Sequence, residues 1–172
     1  MSENVEVFVE ICREGAVIPK YAKPWDAGMD ICAAEDVIIR PGETVIVPTG
    51  LKMAIPEGYE IQVRPRSGIS LNTPLRITNS PGTIDSGYRD EIGIIITNTS
   101  PASGGGEISS GQNEFTIDSK GNKQGVYKIR KGDRIAQIVL QRVPRIQFKV
   151  VDSVKEIGNN RGGGFGSTGV RE

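Results

Sequence analysis

Five short segments hold the side chains that could do chemistry, and none of the 172 residues is a histidine. That absence removes a histidine general base, histidine metal ligands, Ser-His or Cys-His nucleophile pairs and a histidine pH switch. Proton transfer would fall to a carboxylate, Lys, Tyr or Cys. Pro65-Arg66-Ser67-Gly68 offers a guanidinium, a hydroxyl and glycine-freed amides, a set that suits phosphate. A surface loop with an exposed salt bridge would read the same way. In Ala27-Gly28-Met29-Asp30-Ile31, Asp30 fits a turn entering a strand. The segment from Gly82 to Tyr88 reads as a hairpin with Asp85-Ser86-Gly87 at its tip, where Asp85 can serve as a turn former and Tyr88 as a cross-strand packer. Gly132-Asp133 is a turn opening a strand through Gln137, and Asp133-Arg134 could be only a structural ion pair. Arg161 to Gly169 sets an Arg, one Phe and a Ser-Thr pair among glycines. Such a segment suits a tail that closes over a ligand, with amides and Arg for phosphate and a ring for a base; a glycine-rich linker end is the alternative.

These segments need a scaffold, and the composition points to strands. A chain of 18.5 kDa makes one compact domain. Its 22 glycines and 10 prolines suit turns better than long helices. Short β-rich runs recur with turn signals between them: around Val5 to Cys12, Val37–Ile39, Thr44–Val47, Leu51–Ile55, Tyr59–Val63, Leu75–Thr78, Ile92–Thr97, Val126–Ile129, Ile135–Leu140 and Ile146–Val151. That spacing predicts an all-β sandwich or barrel. Only Ser67 to Asn72 suits a short helix, which Pro74 stops. From Ser100 to Gly111 eight of twelve residues are Gly or Ser, which reads as a loop tip or an insertion between strands. The tail from Gly158 to Glu172 lacks periodicity and should be mobile unless something holds it down.

Charge narrows the partners. Lys+Arg and Asp+Glu number 21 each, so any anion site is local, and no basic stripe interleaved with aromatics points to nucleic acid. Cys12 and Cys32 are too few for a thiolate zinc site and form no CxxC pair. Reduced thiols, an acidic N-terminus without an apolar core segment, and no apolar run near membrane length predict a cytoplasmic protein without a membrane span.

Taken in order, AGMD, RSG, GTIDSGY, GDRIAQ and RGGGFGSTG resemble the homotrimeric dUTPase family across most of the chain from Ala27 to Gly169. The resemblance implies a jelly-roll-like distorted β-barrel over residues 1–157, with a variable insertion at 100–125 and a mobile glycine-rich C-terminal arm at 158–172. It implies a homotrimer in which one subunit supplies the first, second and fourth segments, a neighbour the hairpin and the third its arm. The implied reaction is Mg2+-dependent hydrolysis of dUTP to dUMP and pyrophosphate, which limits uracil incorporation into DNA and supplies dUMP for dTMP synthesis. By the same resemblance Asp85 is the carboxylate that orients and deprotonates the attacking water. Tyr88 packs on the deoxyribose and leaves no room for a 2′-OH. Asn79, the backbone of Gly82, Thr83, Ile84 and Asp85, and Gly93 read uracil. Arg66, Ser67, Gly68 and Gln137 clamp the phosphates, and Asp30 holds magnesium-bound water. Arg161 meets the γ-phosphate, Phe165 stacks, and Gly166, Ser167 and Thr168 contact phosphate.

Asp90 departs from the family, which often has Gly after Tyr-Arg, and puts a second carboxylate near the site. The nearest rival is dCTP deaminase, which shares the fold and similar segments; ammonia release from dCTP would favour it. A non-catalytic interaction protein built on the same barrel is a second class, and a nucleic-acid-binding barrel a third.

Overall fold

The computed structural model describes residues 4–101 and 114–163. Twelve strands and one short helix follow in chain order: β1 (Phe8–Ile11), β2 (Met29–Cys32), β3 (Val37–Ile39), β4 (Thr44–Pro48), β5 (Leu51–Ala54), β6 (Tyr59–Arg64), α1 (Ser67–Asn72), β7 (Leu75–Ile77), β8 (Gly82–Asp85), β9 (Gly93–Asn98), β10 (Glu114–Thr116), β11 (Val126–Ile129) and β12 (Arg134–Arg142). They form four small sheets, ordered β1-β5, β10-β11-β3, β2-β12-β6-β8 and β4-β9-β7. The sheets curl round one core without closing, so the all-β expectation holds as a distorted jelly-roll.

Alternation decides which face each strand buries. On β6, Ile61 and Val63 point inward and Glu60, Gln62 and Arg64 outward. On β8, Gly82 and Ile84 are buried while Thr83 and Asp85 face solvent. On β9, Ile94, Ile96 and Asn98 go inward. With Ile31, Val47, Leu51, Leu75, Tyr127, Ile129 and Ile138 these make the continuous core, each large aliphatic side chain contributing about 1.5–3 kcal/mol of burial.

Asn98 is one of the few buried polar residues, fully enclosed on β9 beside Ser100. Its side-chain amide donates to the carbonyls of Ile39 at 2.9 Å and Gly125 at 2.8 Å, and its oxygen accepts from Ser100 N at 3.0 Å. One side chain thus joins β3 and β9 to the end of the inserted segment. Helix α1 forms as its sequence predicts and ends where Thr73 turns extended before Pro74.

Two expectations are corrected. The segment from Gly82 to Tyr88 does not fold as a simple two-stranded hairpin: β7 and β9 pair with each other, while β8 leaves them and adds to β6. Ile146–Val151 forms no strand, and Ile146, Phe148 and Val150 are 77%, 87% and 96% exposed. Among the described residues their alternating apolar pattern pairs with no strand.

Candidate active site

Strand order brings four of the five segments onto one sheet. β2 carries Asp30, β12 carries Gln137, the end of β6 leads into Arg66, and β8 carries Asp85. Register aligns Asp30 with Gln137 and Gln137 with Arg64 in one row. Glycine makes this approach possible: a Cβ on Gly28 would meet Val139 Cγ2 at 3.1 Å and the Ile138 carbonyl at 3.3 Å, so a side chain there would push the strand entry off β12.

Asp30 sits at the centre of a cationic cluster. Arg66 Nε donates to its Oδ1 at 2.8 Å and Arg66 Nη2 to its Oδ2 at 3.3 Å, a fork on a carboxylate. Arg134 Nη1 reaches Oδ2 at 3.3 Å, and Arg66 Nη1 donates to the Arg134 carbonyl at 3.1 Å. Arg134 therefore pairs with Asp30, not with Asp133, which instead accepts from Arg130 N at 2.8 Å and closes the turn at Gly132. Beside the cluster Lys20, Asp26, Gly28, Asp30 and Gln137 line an open cleft of about 320 Å³. On the far side of Arg66, Gly68, Asn72, Asp118 and Lys120 line a second, of about 350 Å³. Ser67 and Gly68 open α1 next to Arg66, so the expected phosphate clamp is gathered in one place.

Asp85 and Tyr88 are not gathered there. Asp85 pairs with Glu60, and Arg66 lies six positions further along, just past the end of β6, a span of about 20 Å for extended chain. Both residues are exposed. Tyr88 N donates to the Asp85 carbonyl at 3.0 Å, closing the turn, and the Tyr88 hydroxyl donates to the Glu91 carbonyl at 2.9 Å. Asn79 does lie against Gly82, since a Cβ on Gly82 would meet Asn79 Nδ2 at 3.3 Å. Thr83 and Ile84 complete that strand, Thr83 outward and Ile84 in the core. Gly93 has a packing reason of its own: a Cβ there would lie 2.3 Å from Ile46 Cγ2 on the neighbouring strand.

Family comparison fits this arrangement. The family model described as dUTPase matches residues 14–103 and 110–169. The chain belongs to the dUTPase family. It is 42% identical to a deoxyuridine 5'-triphosphate nucleotidohydrolase of Leifsonia xyli, covering 98% of this chain and 93% of that one. It is 40% identical to the protein of that name from Hydrogenobaculum, covering 97% and 100%. Among solved structures, the dUTPase of Staphylococcus bacteriophage 80alpha with dUPNHPP is 32% identical with a TM-score of 0.80, covering 96% of this chain and 99% of that one. A dUTPase variant from phage phi11 of S. aureus, described with a structural Mg(II) ion, is 33% identical with a TM-score of 0.75, covering 87% and 99%.

The family's divalent metal finds a partial donor set here. Among the described residues no group of three or more Asp, Glu, Cys or His could hold an ion. A carboxylate has about four acceptor positions, and three guanidinium N–H groups occupy those of Asp30, leaving one on Oδ1. One carboxylate position beside an anion clamp suits magnesium, which keeps waters and takes phosphate oxygens.

Of the arm residues, Arg161 is exposed. Phe165, Gly166, Ser167 and Thr168 lie outside the described residues. Sequence reading missed that Arg134 pairs with Asp30, which shows only once β2 and β12 lie side by side, and the pairing of Arg13 with Glu91. Among the described residues no helix is long and apolar enough to cross a membrane.

Proposed function

We propose that this enzyme of the dUTPase family cleaves dUTP between the α and β phosphates, giving dUMP and pyrophosphate, in sites shared between copies of the chain. The observation that carries the sharing is the span of about 20 Å between the phosphate cluster at Arg66 and the carboxylate at Asp85. A base must lie within one water of the atom it works on. Asp85 of one copy therefore serves the clamp of another, as in a homotrimer. The unpaired apolar segment Ile146 to Val150 supports this assembly, because in water it needs a partner surface.

Arg66, Ser67, Gly68 and Gln137 hold the triphosphate, with Asp30 fixing the fork of Arg66. Magnesium, when bound to the triphosphate, offsets its charge, and Asp30 would meet it through water. Asp85 accepts a proton as the water oxygen bonds to the α-phosphorus, and the bond to the β-phosphate oxygen breaks with its electron pair. Asn79 and the strand from Gly82 to Asp85 present backbone groups and an amide to the uracil edge. Tyr88 covers the deoxyribose. Arg161 and the arm beyond it close the site, with Phe165 over the base and Gly166, Ser167 and Thr168 on phosphate.

Pyrophosphate release with magnesium across dUTP, dTTP, dCTP and UTP tests the substrate, and dUTP should be the preferred one. Ammonia release from dCTP would overturn the reading. Mixing inactive Asp85→Asn chains with inactive Arg66→Ala chains tests the sharing. Mixed assemblies should regain activity at some sites; a mixture as inactive as its parts would refute shared sites.

A further inference from the structure

The loop bearing Tyr88 is anchored at Glu91, which is held by residues from a distant part of the chain. Residues 87–90 are exposed; Tyr88 N closes the turn onto the Asp85 carbonyl, Arg89 Nη1 donates within the loop to the Ser86 and Tyr88 carbonyls, and the Tyr88 side chain is tied by its hydroxyl to the Glu91 carbonyl. Glu91 is where the chain returns to the core. Its Oε1 accepts from Arg13 Nε at 2.6 Å and from Gly50 N at 2.8 Å. The next residue is locked as well: Ile92 N donates to the Leu51 carbonyl at 2.8 Å, and the Ile92 carbonyl accepts from Thr49 Oγ1 at 2.7 Å. The anchor itself is rigid. Cys12 N donates to the Gly50 carbonyl at 2.8 Å, and Gly50, at φ +70°, is packed so closely that a Cβ would meet Ala16 Cβ at 2.6 Å and Arg13 Cβ at 3.1 Å. Glu91 is only 24% exposed, and the Arg13 guanidinium first, then the Gly50 amide, hold its carboxyl below the ordinary glutamate range.

We propose that the Arg13–Glu91 pair is a positioning device that sets the Tyr88 ring against the sugar, and so sets discrimination between 2′-deoxyribonucleotides and ribonucleotides. This rests on the proposed role of Tyr88. A ring excludes one hydroxyl only while its distance from the sugar is fixed. Tyr88 takes that distance from Glu91, and Glu91 takes its place from a residue 78 positions away in the chain.

The test measures kcat and KM for dUTP and UTP, with Glu35→Gln as control. Glu35 also pairs with Arg13, at 3.3 Å, but not with Glu91 or Tyr88 among the hydrogen bonds and ion pairs of the described residues. Glu91→Ala should lower the ratio of kcat/KM for dUTP over UTP by about tenfold, mainly through a raised kcat/KM for UTP, with kcat for dUTP little changed. Tyr88→Phe, which keeps the ring and removes its bond to Glu91, should lower the ratio in the same direction, and the two changes should not add. Glu35→Gln should leave the ratio unchanged. An unchanged ratio in Glu91→Ala, or equal losses on both nucleotides, would overturn the inference. If Glu91→Ala fails to fold, Arg13→Gln removes the same ion pair and is read identically. Tyr88→Ala separates the two levels. If it leaves the ratio unchanged, the sugar-packing role falls and the inference with it; if it lowers the ratio while Glu91→Ala does not, only the inference falls.

Discussion

A carboxylate on an exposed strand end does little until a substrate and a second surface meet it. Asp85 has that setting, outward on β8 with no other carboxylate nearer along its own strand. Asp85→Asn should retain binding of an uncleavable dUTP analogue and lose about 10²–10⁴-fold in turnover, read by calorimetry and pyrophosphate release. The two thiols make a simpler residue-scale case. Cys12 is exposed, whereas Cys32 is buried, and burial, with Asp30 nearby, raises its pKa. Only thiolate reacts, so a thiol reagent at neutral pH should label Cys12 and spare Cys32 until the chain is unfolded, as mass spectrometry would show.

At the scale of elements, Asn98 does what no aliphatic residue at its position could. Asn98→Ala would remove this partner from the Ile39 carbonyl and the Ser100 amide, and leave the Gly125 carbonyl with the weaker bond from Ser100 Oγ at 3.4 Å. The expected loss is about 2–4 kcal/mol, measured by urea denaturation. The tip of the insertion should be separable from the barrel by contrast. Its return limb is fixed by β10 and β11 beside β3 and by Asn122 N donating to the Asn72 carbonyl at 2.9 Å. Removing residues 102–111 should therefore spare both assembly and turnover, checked by sedimentation and pyrophosphate release; loss of assembly would show that the segment carries subunit contacts.

For the whole molecule, charge and assembly set behaviour in solution. Without histidine no side chain of ordinary pKa titrates between about pH 5.5 and 7. Glu91 and Asp36 are held below their usual values, Glu91 by Arg13 and Asp36 by the Lys131 amide and Lys128. A lowered folded pKa gives stability that is present above the unfolded value and lost as pH falls through the folded one. The urea midpoint should thus be flat from about pH 5.5 to 7 and fall below about pH 4, with a shallower fall in Glu91→Gln. On the proposed closing role of the arm, cutting the chain after Asn160 should cost turnover more than thermal stability.

Residue type and spacing alone carried the β architecture, the helix at Ser67 and the family, because alternation and glycine-marked turns are local properties that survive in one dimension. That Arg66, Ser67 and Gly68 sit together was legible for the same reason, since they are consecutive at the start of the one short helix, whereas Gln137 reaches Asp30 only through the pairing of β12 with β2. Strand order was not legible: that β8 leaves β7 to join β6 depends on which edge is free, a contest between distant segments. The partners of Arg13, Arg134 and Asn98 belong to the same class, since an ion pair or buried amide is defined by what lies opposite it. The strand expected at Ile146 failed because alternation specifies a face but cannot supply an edge to pair with.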